Sequence, residues 1–239
     1  MSVVPVENVV PKSDYEGAGF LMKYNGNYIF GKGIEREDFD IFGGKRDYAA
    51  DTDAYATAVA ELFEELGGPQ FDTLTWRDRC KVIEEFQPYT KKWIINYVLE
   101  LNAAEYEIVK DANVRLQSWP DDEVRDYSQT TKRLTPVRKT FRALYLVPEN
   151  KFNTYIWMFN KHNRSENRMG DAKEFCKIHK LDGYCMITGE IKTLPLRAYN
   201  IVIFENTFCI LNTSKKTSIY PTIGLTVLAI ALIYYFYSS

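Results

Sequence analysis

Glu61, Glu64 and Glu65 stand at i, i+3 and i+4 in the run Ala60-Glu61-Leu62-Phe63-Glu64-Glu65-Leu66-Gly67. On a helix this spacing puts all three carboxylates on one face, within about one turn. Like charges that close repel, and without a counter-charge they cost the helix stability. A divalent cation removes that cost. Mg²⁺ and Mn²⁺ take hard oxygen ligands, which clustered carboxylates supply. Upstream, Gly43 and Gly44 lack side chains, so the backbone there can come close to the same ion or to a phosphate.

The whole stretch from Phe42 to Gly68 resembles the Nudix box, G-x5-E-x7-R-E-U-x-E-E-x-G-U, where U is a bulky aliphatic residue. Glu61, Leu62, Glu64, Glu65 and Gly67 fall in place, and Asp40-Ile41-Phe42-Gly43-Gly44-Lys45 looks like the strand and GGK turn before the box. Three departures stand out. Ala60 replaces the Arg of the pattern. The spacing from Gly44 to Glu61 is two residues longer than the pattern. No Glu holds the early acidic position, although Asp51 and Asp53 lie near it. In the family that Glu and Arg pair to brace the loop. Gly68 also stands where the final aliphatic residue belongs.

The resemblance implies an α+β fold, a Nudix-type mixed sheet sandwiched by helices. It implies metal-dependent hydrolysis of a nucleoside diphosphate linked to some other group. Mg²⁺ or Mn²⁺ would be held by Glu61, Glu64, Glu65 and the Gly43 carbonyl, with Glu61 or Glu64 as general base. Lys45 of the GGK turn becomes a substrate-binding candidate. Without the counterparts of the box Glu and Arg, the metal ligands stay but loop rigidity is in question. The competing expectation is a catalytically weak or inactive Nudix-fold scaffold.

The 239 residues suit one domain with an insertion or a tail, and a 46% hydrophobic composition supplies ample core. The net charge of -2 argues against a generally polyanion-binding chain. Cys80, Cys176, Cys185 and Cys209 form no CxxC and no zinc spacing, and read as free thiols. His162 and His179 have no neighbouring pattern for a metal triad or a nucleophile pair.

In chain order, residues 1–14 form an irregular leader and 15–211 the domain. Asn25-Gly26-Asn27 between β-prone runs predicts a hairpin. Phe39 to Phe42 reads as a short strand. The box helix runs over about Ala54 to Leu66, with Asp53 as N-cap, Gly67 as stop and Ala58, Val59, Leu62 and Leu66 as packing stripe. Val82 to Tyr89 and Lys92 to Leu101 predict paired strands.

Beyond Leu101 two stretches compete for one strand-and-acid region of the family. One is Val114 to Val124, with Trp119 and Glu123, which offers Glu107 and Asp111 as acids. The other is Tyr155-Ile156-Trp157-Met158-Phe159 followed by Gly170 to Glu174. The second is slightly favoured, which makes about 103–150 an insertion and Glu174 a further metal ligand. Arg125 to Arg142 holds Arg125, Lys132, Arg133, Arg138, Lys139 and Arg142 against one acid, Asp126. Such a run is a solvated face or a phosphate-gripping patch, with Arg138, Lys139 and Arg142 as contacts for a substrate such as capped RNA.

After a polar linker at 212–218, residues 219–237 carry no charge and would span about 28 Å as a helix, near the thickness of a bilayer core. Lys215 and Lys216 precede this segment and no cation follows it. The expectation is a single C-terminal transmembrane helix, a tail anchor in membrane lipid that keeps the domain on the cytosolic side.

Overall fold

The computed structural model describes residues 14–205 except 70, 88–91, 135, 162–164 and 166. Within them a mixed sheet of nine strands lies between two helical layers, an α+β architecture.

The sheet starts from a hairpin. Strand β1 (Tyr15–Tyr24) turns at Asn25 and Gly26 into β2 (Asn27–Gly33). Both turn residues have positive φ, 46° and 70°. Two-residue turns of that hand match the twist of the strands they join, so Asn-Gly suits this position. Two short strands follow, β3 (Phe39–Asp40) on β2 and β4 (Phe42–Lys45) on β1. The single strand expected at Phe39 to Phe42 is thus two pairings. Next come α1 (Ala54–Glu65), β5 (Lys81–Gln87) and β6 (Lys92–Glu100). β5 and β6 pair antiparallel as expected, and β6 lies parallel to β1.

Helix α2 (Ala103–Ser118) opens with a capping box in which Asn102 and Glu105 each bond the other's backbone N–H. A short ribbon, β7 (Val124–Arg125) with β8 (Val137–Arg138), encloses the one-turn helix α3 (Ser128–Thr131). Then follow β9 (Phe141–Pro148), α4 (Glu149–Lys161), α5 (Arg168–Ile178), β10 (Leu181–Cys185), β11 (Ile191–Leu194) and helical residues 198–205. The path across the sheet is β11-β10-β9-β2-β1-β6-β5.

Two findings differ from the expectations. Tyr155 to Phe159 is part of α4, not a strand. The run is aromatic and β-prone, but Phe152, Tyr155, Ile156 and Phe159 are the buried residues, a spacing of three and four that belongs to a helix. Residues 103–150, read as an insertion, supply α2 and β9. β9 is hydrogen-bonded to β2 and β10, and Asn113 of α2 accepts the Leu144 N–H at 2.9 Å.

One core cluster packs α1 and α2 on one face of the sheet through Phe20, Leu62, Trp76, Leu99, Leu116 and Trp119. The other packs α4, α5 and 198–205 on the opposite face through Phe30, Phe39, Ile156, Phe175 and Phe204. The linker 212–218 and the segment 219–237 lie outside the described residues. Among the described residues, no helix is long and apolar enough to cross a membrane.

Candidate active site

Helix α1 is set by its ends and its stripe. Asp53 caps it, accepting the Ala56 N–H at 2.8 Å, and Gly67 and Gly68 leave it at φ of 72° and 80°. Ala54, Ala58, Leu62 and Leu66 enter the first core cluster. That fixes the rotation of the helix and carries Glu61, Glu64 and Glu65 toward β4 and the loop after it.

The floor of the site is glycine backbone. β4 pairs with β1 at Gly17↔Lys45 and Gly19↔Gly43, and a Cβ on Gly19 would come 2.3 Å from the Phe42 carbonyl oxygen. Close approach of β4 therefore requires Gly19. Gly43 donates its N–H to Glu65 Oε2 at 2.9 Å. Gly44 lies under Glu61: a Cβ there would stand 2.3 Å from the Glu61 carboxyl carbon. Gly43 and Gly44 are thus joined to Glu65 and Glu61 in one assembly.

A residue from elsewhere completes it. Arg133 follows α3 and the left-handed Lys132, whose φ is 63°. Its guanidinium donates from Nε and Nη2 to Asp51 at 3.2 and 2.7 Å, and from Nη1 to Glu61 at 2.6 Å. Glu64 lies 3.5 Å from the same Nη1, and Nη2 also reaches the Lys45 carbonyl at 3.4 Å. Asp51 is pinned in turn by the Asp47 N–H and the Thr57 hydroxyl, both at 2.8 Å. Thr57 is linked to Tyr15 on β1 at 2.8 Å.

The charges feel this setting. Burial alone would raise the Asp51 pKa, but the Arg133, Asp47 and Thr57 hydrogen bonds outweigh it and hold the carboxyl below its ordinary range. Glu61 and Glu64 go the other way: burial raises both, more than Arg133 lowers them. Glu65 is raised furthest, by burial and then by the negative charges of Glu61 and Asp40, against one backbone N–H from Gly43.

A pH dependence follows. A carboxyl whose pKa is raised by folding binds more protons folded than unfolded, so stability falls as pH rises from the unfolded value, 4.5, through the folded one. Metal-free protein should melt at a progressively lower temperature above that pH. The gain in melting temperature on adding Mn²⁺ should grow with pH, since the cation binds ionised carboxylates. Melting curves from pH 5 to 8 with and without Mn²⁺ check this; a metal-free melting temperature that rises across that range contradicts it.

The remaining candidates are dispersed. The Lys45 side chain is exposed beside the site. Glu174 is exposed on α5, paired with Lys177 at 2.6 Å, and α5 packs into the core cluster on the other sheet face from α1. Lys139 is buried, with Nζ on the Trp119 carbonyl at 2.6 Å and on Asp121 at 3.0 Å. Arg142 reaches Asp121 at 3.4 Å from an exposed position, and Arg138 is exposed on β8. His179 stacks on Phe175.

As ligands, these oxygens fit a hard divalent cation by chemistry. One guanidinium meets Asp51, Glu61 and Glu64, and Glu65 accepts the Gly43 N–H instead, so the oxygens of one acid are left outside the ion-pair cluster. Among the described residues, no three His, Cys, Asp or Glu side chains are already grouped around one point as a metal site. No protein-family model matches the chain, and no curated protein matches it.

Proposed function

We propose that the protein is a Nudix-type hydrolase that cleaves the phosphoanhydride of a nucleoside diphosphate linked to another group, with Mg²⁺ or Mn²⁺. The observation that carries the reading is the seating of Glu65 and Glu61 against the Gly43–Gly44 backbone, with Glu64 beside them on the same guanidinium as Glu61. Glu61, Glu64, Glu65 and the Gly43 carbonyl would hold the cation; Glu174, on the other face of the sheet from α1, is left out of the set. The cation, when bound, neutralises the diphosphate and lowers the pKa of a water.

The chain's own contribution is orientation and a proton acceptor. Glu61 is tied to Arg133 at 2.6 Å, whereas Glu64 stands 3.5 Å from the same nitrogen. Glu64 is therefore the better general base of the two, since its carboxylate is less committed to the guanidinium and freer to take a proton from water. Lys45 is an exposed cation beside the site, and the exposed Arg138 and Arg142 are what remains of the basic stretch that tilts the reading toward capped RNA among the diphosphates.

A second reading is a non-catalytic binding or scaffold protein of the same fold. Arg133 supports it, because a guanidinium already meets two of the three glutamates. The test is product release from a panel of nucleotide sugars, dinucleotides, oxidised nucleotides and capped RNA with Mg²⁺ or Mn²⁺. Turnover of none of them favours the scaffold.

The uncharged segment 219–237 supports a tail anchor, with the domain held within a 7-residue linker, about 15 Å, of one membrane surface. The full chain is expected to resist alkaline carbonate extraction, and deletion of 219–239 to release a soluble domain with unchanged hydrolysis of small diphosphates. A full chain that washes off in carbonate rules the anchor out.

A further inference from the structure

We infer that Arg133 is a positioning residue for the carboxylate site, a brace delivered from outside the loop and helix that carry the acids. The inference deepens the hydrolase reading and rests on it for its activity measurement, though not for its metal-binding measurement.

The geometry carries it. Three separate stretches of chain meet on one guanidinium: the end of β4 and the loop after it through the Lys45 carbonyl and Asp51, α1 through Glu61 and Glu64, and the turn after α3 that presents Arg133 itself. Glu61 is 72 residues before Arg133 in the chain. The stretch 127–133 lies along the face of α1 that does not enter the core, with Tyr127 edge-on to Phe63 at 5.4 Å and Arg133 on the glutamates. Ala60, beside Glu61, has no charge to offer and is 7% exposed. The counter-charge to the crowded glutamates therefore arrives from α3.

The shape of the group matters as much as its charge. A guanidinium is a rigid planar fork, so binding Asp51 with Nε and Nη2 fixes where Nη1 points. Asp51 is held by Thr57 and the Asp47 N–H, and its side chain is 2% exposed against 7% for Arg133. The fork transmits that fixed position to Glu61 and Glu64, which one turn of helix would otherwise drive apart by repulsion. Glu65 is held separately by the Gly43 N–H. The brace thus orients two acids and leaves the third free of the guanidinium for a cation. A lysine at 133 would keep the charge but could not span Asp51 and the glutamates together.

The test uses the full chain and two variants, Arg133→Lys and Arg133→Ala. Mn²⁺ binding is followed by electron paramagnetic resonance, and kcat and KM are measured on the diphosphate the wild type cleaves. Supporting groups of this kind are worth about 10- to 100-fold in metal affinity or activity. Both variants should bind Mn²⁺ weaker by that factor and lose kcat by a similar factor with KM little changed. Millimolar guanidinium should restore Arg133→Ala and leave the slowed Glu64→Gln unrescued. If Arg133→Ala fails to fold, Arg133→Lys decides. Variants that bind Mn²⁺ as tightly as the wild type, or tighter, overturn the proposal, since the guanidinium would then be a structural tie or a competitor of the cation. A wild type that binds no Mn²⁺ overturns it as well. A wild type that binds Mn²⁺ in an Arg133-dependent way but cleaves nothing on the panel upholds the brace and removes the hydrolase reading alone.

Discussion

Glu64→Gln is expected to lower kcat by about 10²–10⁴-fold, the range a positioned general base contributes, while the domain stays folded. The substitution keeps the size of the side chain and removes one negative charge. Glu64 is 7% exposed, and burial raises its pKa despite Arg133 at 3.5 Å. Its ionised form is therefore a net cost to the metal-free fold, so the variant should melt at the same temperature as wild type or higher at pH 8. Glu61→Gln differs, because the 2.6 Å contact with Arg133 is then weakened and the guanidinium loses part of its compensation. Rate measurements under saturating Mn²⁺, paired with melting curves without it, separate the two effects. A Glu64→Gln enzyme with wild-type kcat removes Glu64 as the base. A variant that loses activity only because it unfolds would place Glu64 in the stability of the helix instead.

The parts of this fold that could be read from sequence are those determined by near neighbours. Asn25-Gly26 defines its own turn, because both residues tolerate positive φ. Asp53 and Gly67 bound α1, because capping involves residues within one turn. The pairing of β5 with β6 follows from two β-prone runs joined by a short connection. The meeting of Glu61 with Gly44 and of Glu65 with Gly43 was legible through the resemblance, because the box pattern places a GG turn ahead of the glutamate run.

What could not be read depends on long-range packing. Tyr155 to Phe159 looks like a strand by composition, and only the burial of Phe152, Tyr155, Ile156 and Phe159 on one side of α4 shows its helical period. β9 is an interior strand of the sheet, yet Phe141–Pro148 pairs with β2 more than a hundred residues earlier, a contact that no local signal encodes. Arg133 is the sharpest instance. It belonged to a visibly basic stretch, but its five neighbours in that count go elsewhere: Lys139 to a carbonyl, Arg125 over the Trp119 ring, Arg138 and Arg142 to exposed positions, Lys132 to the Gln129 carbonyl. The one hint lay in the deficit. Three crowded glutamates and Ala60 meant that a positive charge was owed from somewhere, and Asp51 and Asp53 both lay near the early acidic position; Asp51 is the one that Arg133 meets.

Gly44→Ala is the substitution that should damage the site most for the smallest chemical change. Most glycines in strands can be replaced at a modest cost when space is open. Here the added methyl would stand 2.3 Å from the Glu61 carboxyl carbon and 2.4 Å from both its oxygens. No rotation of the methyl avoids this, because a Cβ is fixed by the backbone. The Glu61 carboxylate must move, and its freedom is limited by the 2.6 Å bond to Arg133 and by the helix that carries it. A displacement of about 1 Å in a catalytic group can cost about 10²-fold in rate. Gly44→Ala should accordingly lose about that factor in kcat and weaken Mn²⁺ binding. Stability should respond less, since the clash is with the end of a side chain and not with backbone. Gly19→Ala provides the contrast: its methyl would meet the Phe42 carbonyl oxygen at 2.3 Å, inside the β1–β4 pairing, so that variant should lose melting temperature first and activity only as a consequence. Measured side by side, a Gly44→Ala protein that melts like Gly19→Ala and regains full rate per folded molecule would mean that Glu61 does not need its place against the glycine turn. A Gly44→Ala protein that melts like wild type and turns over slowly would mean that it does.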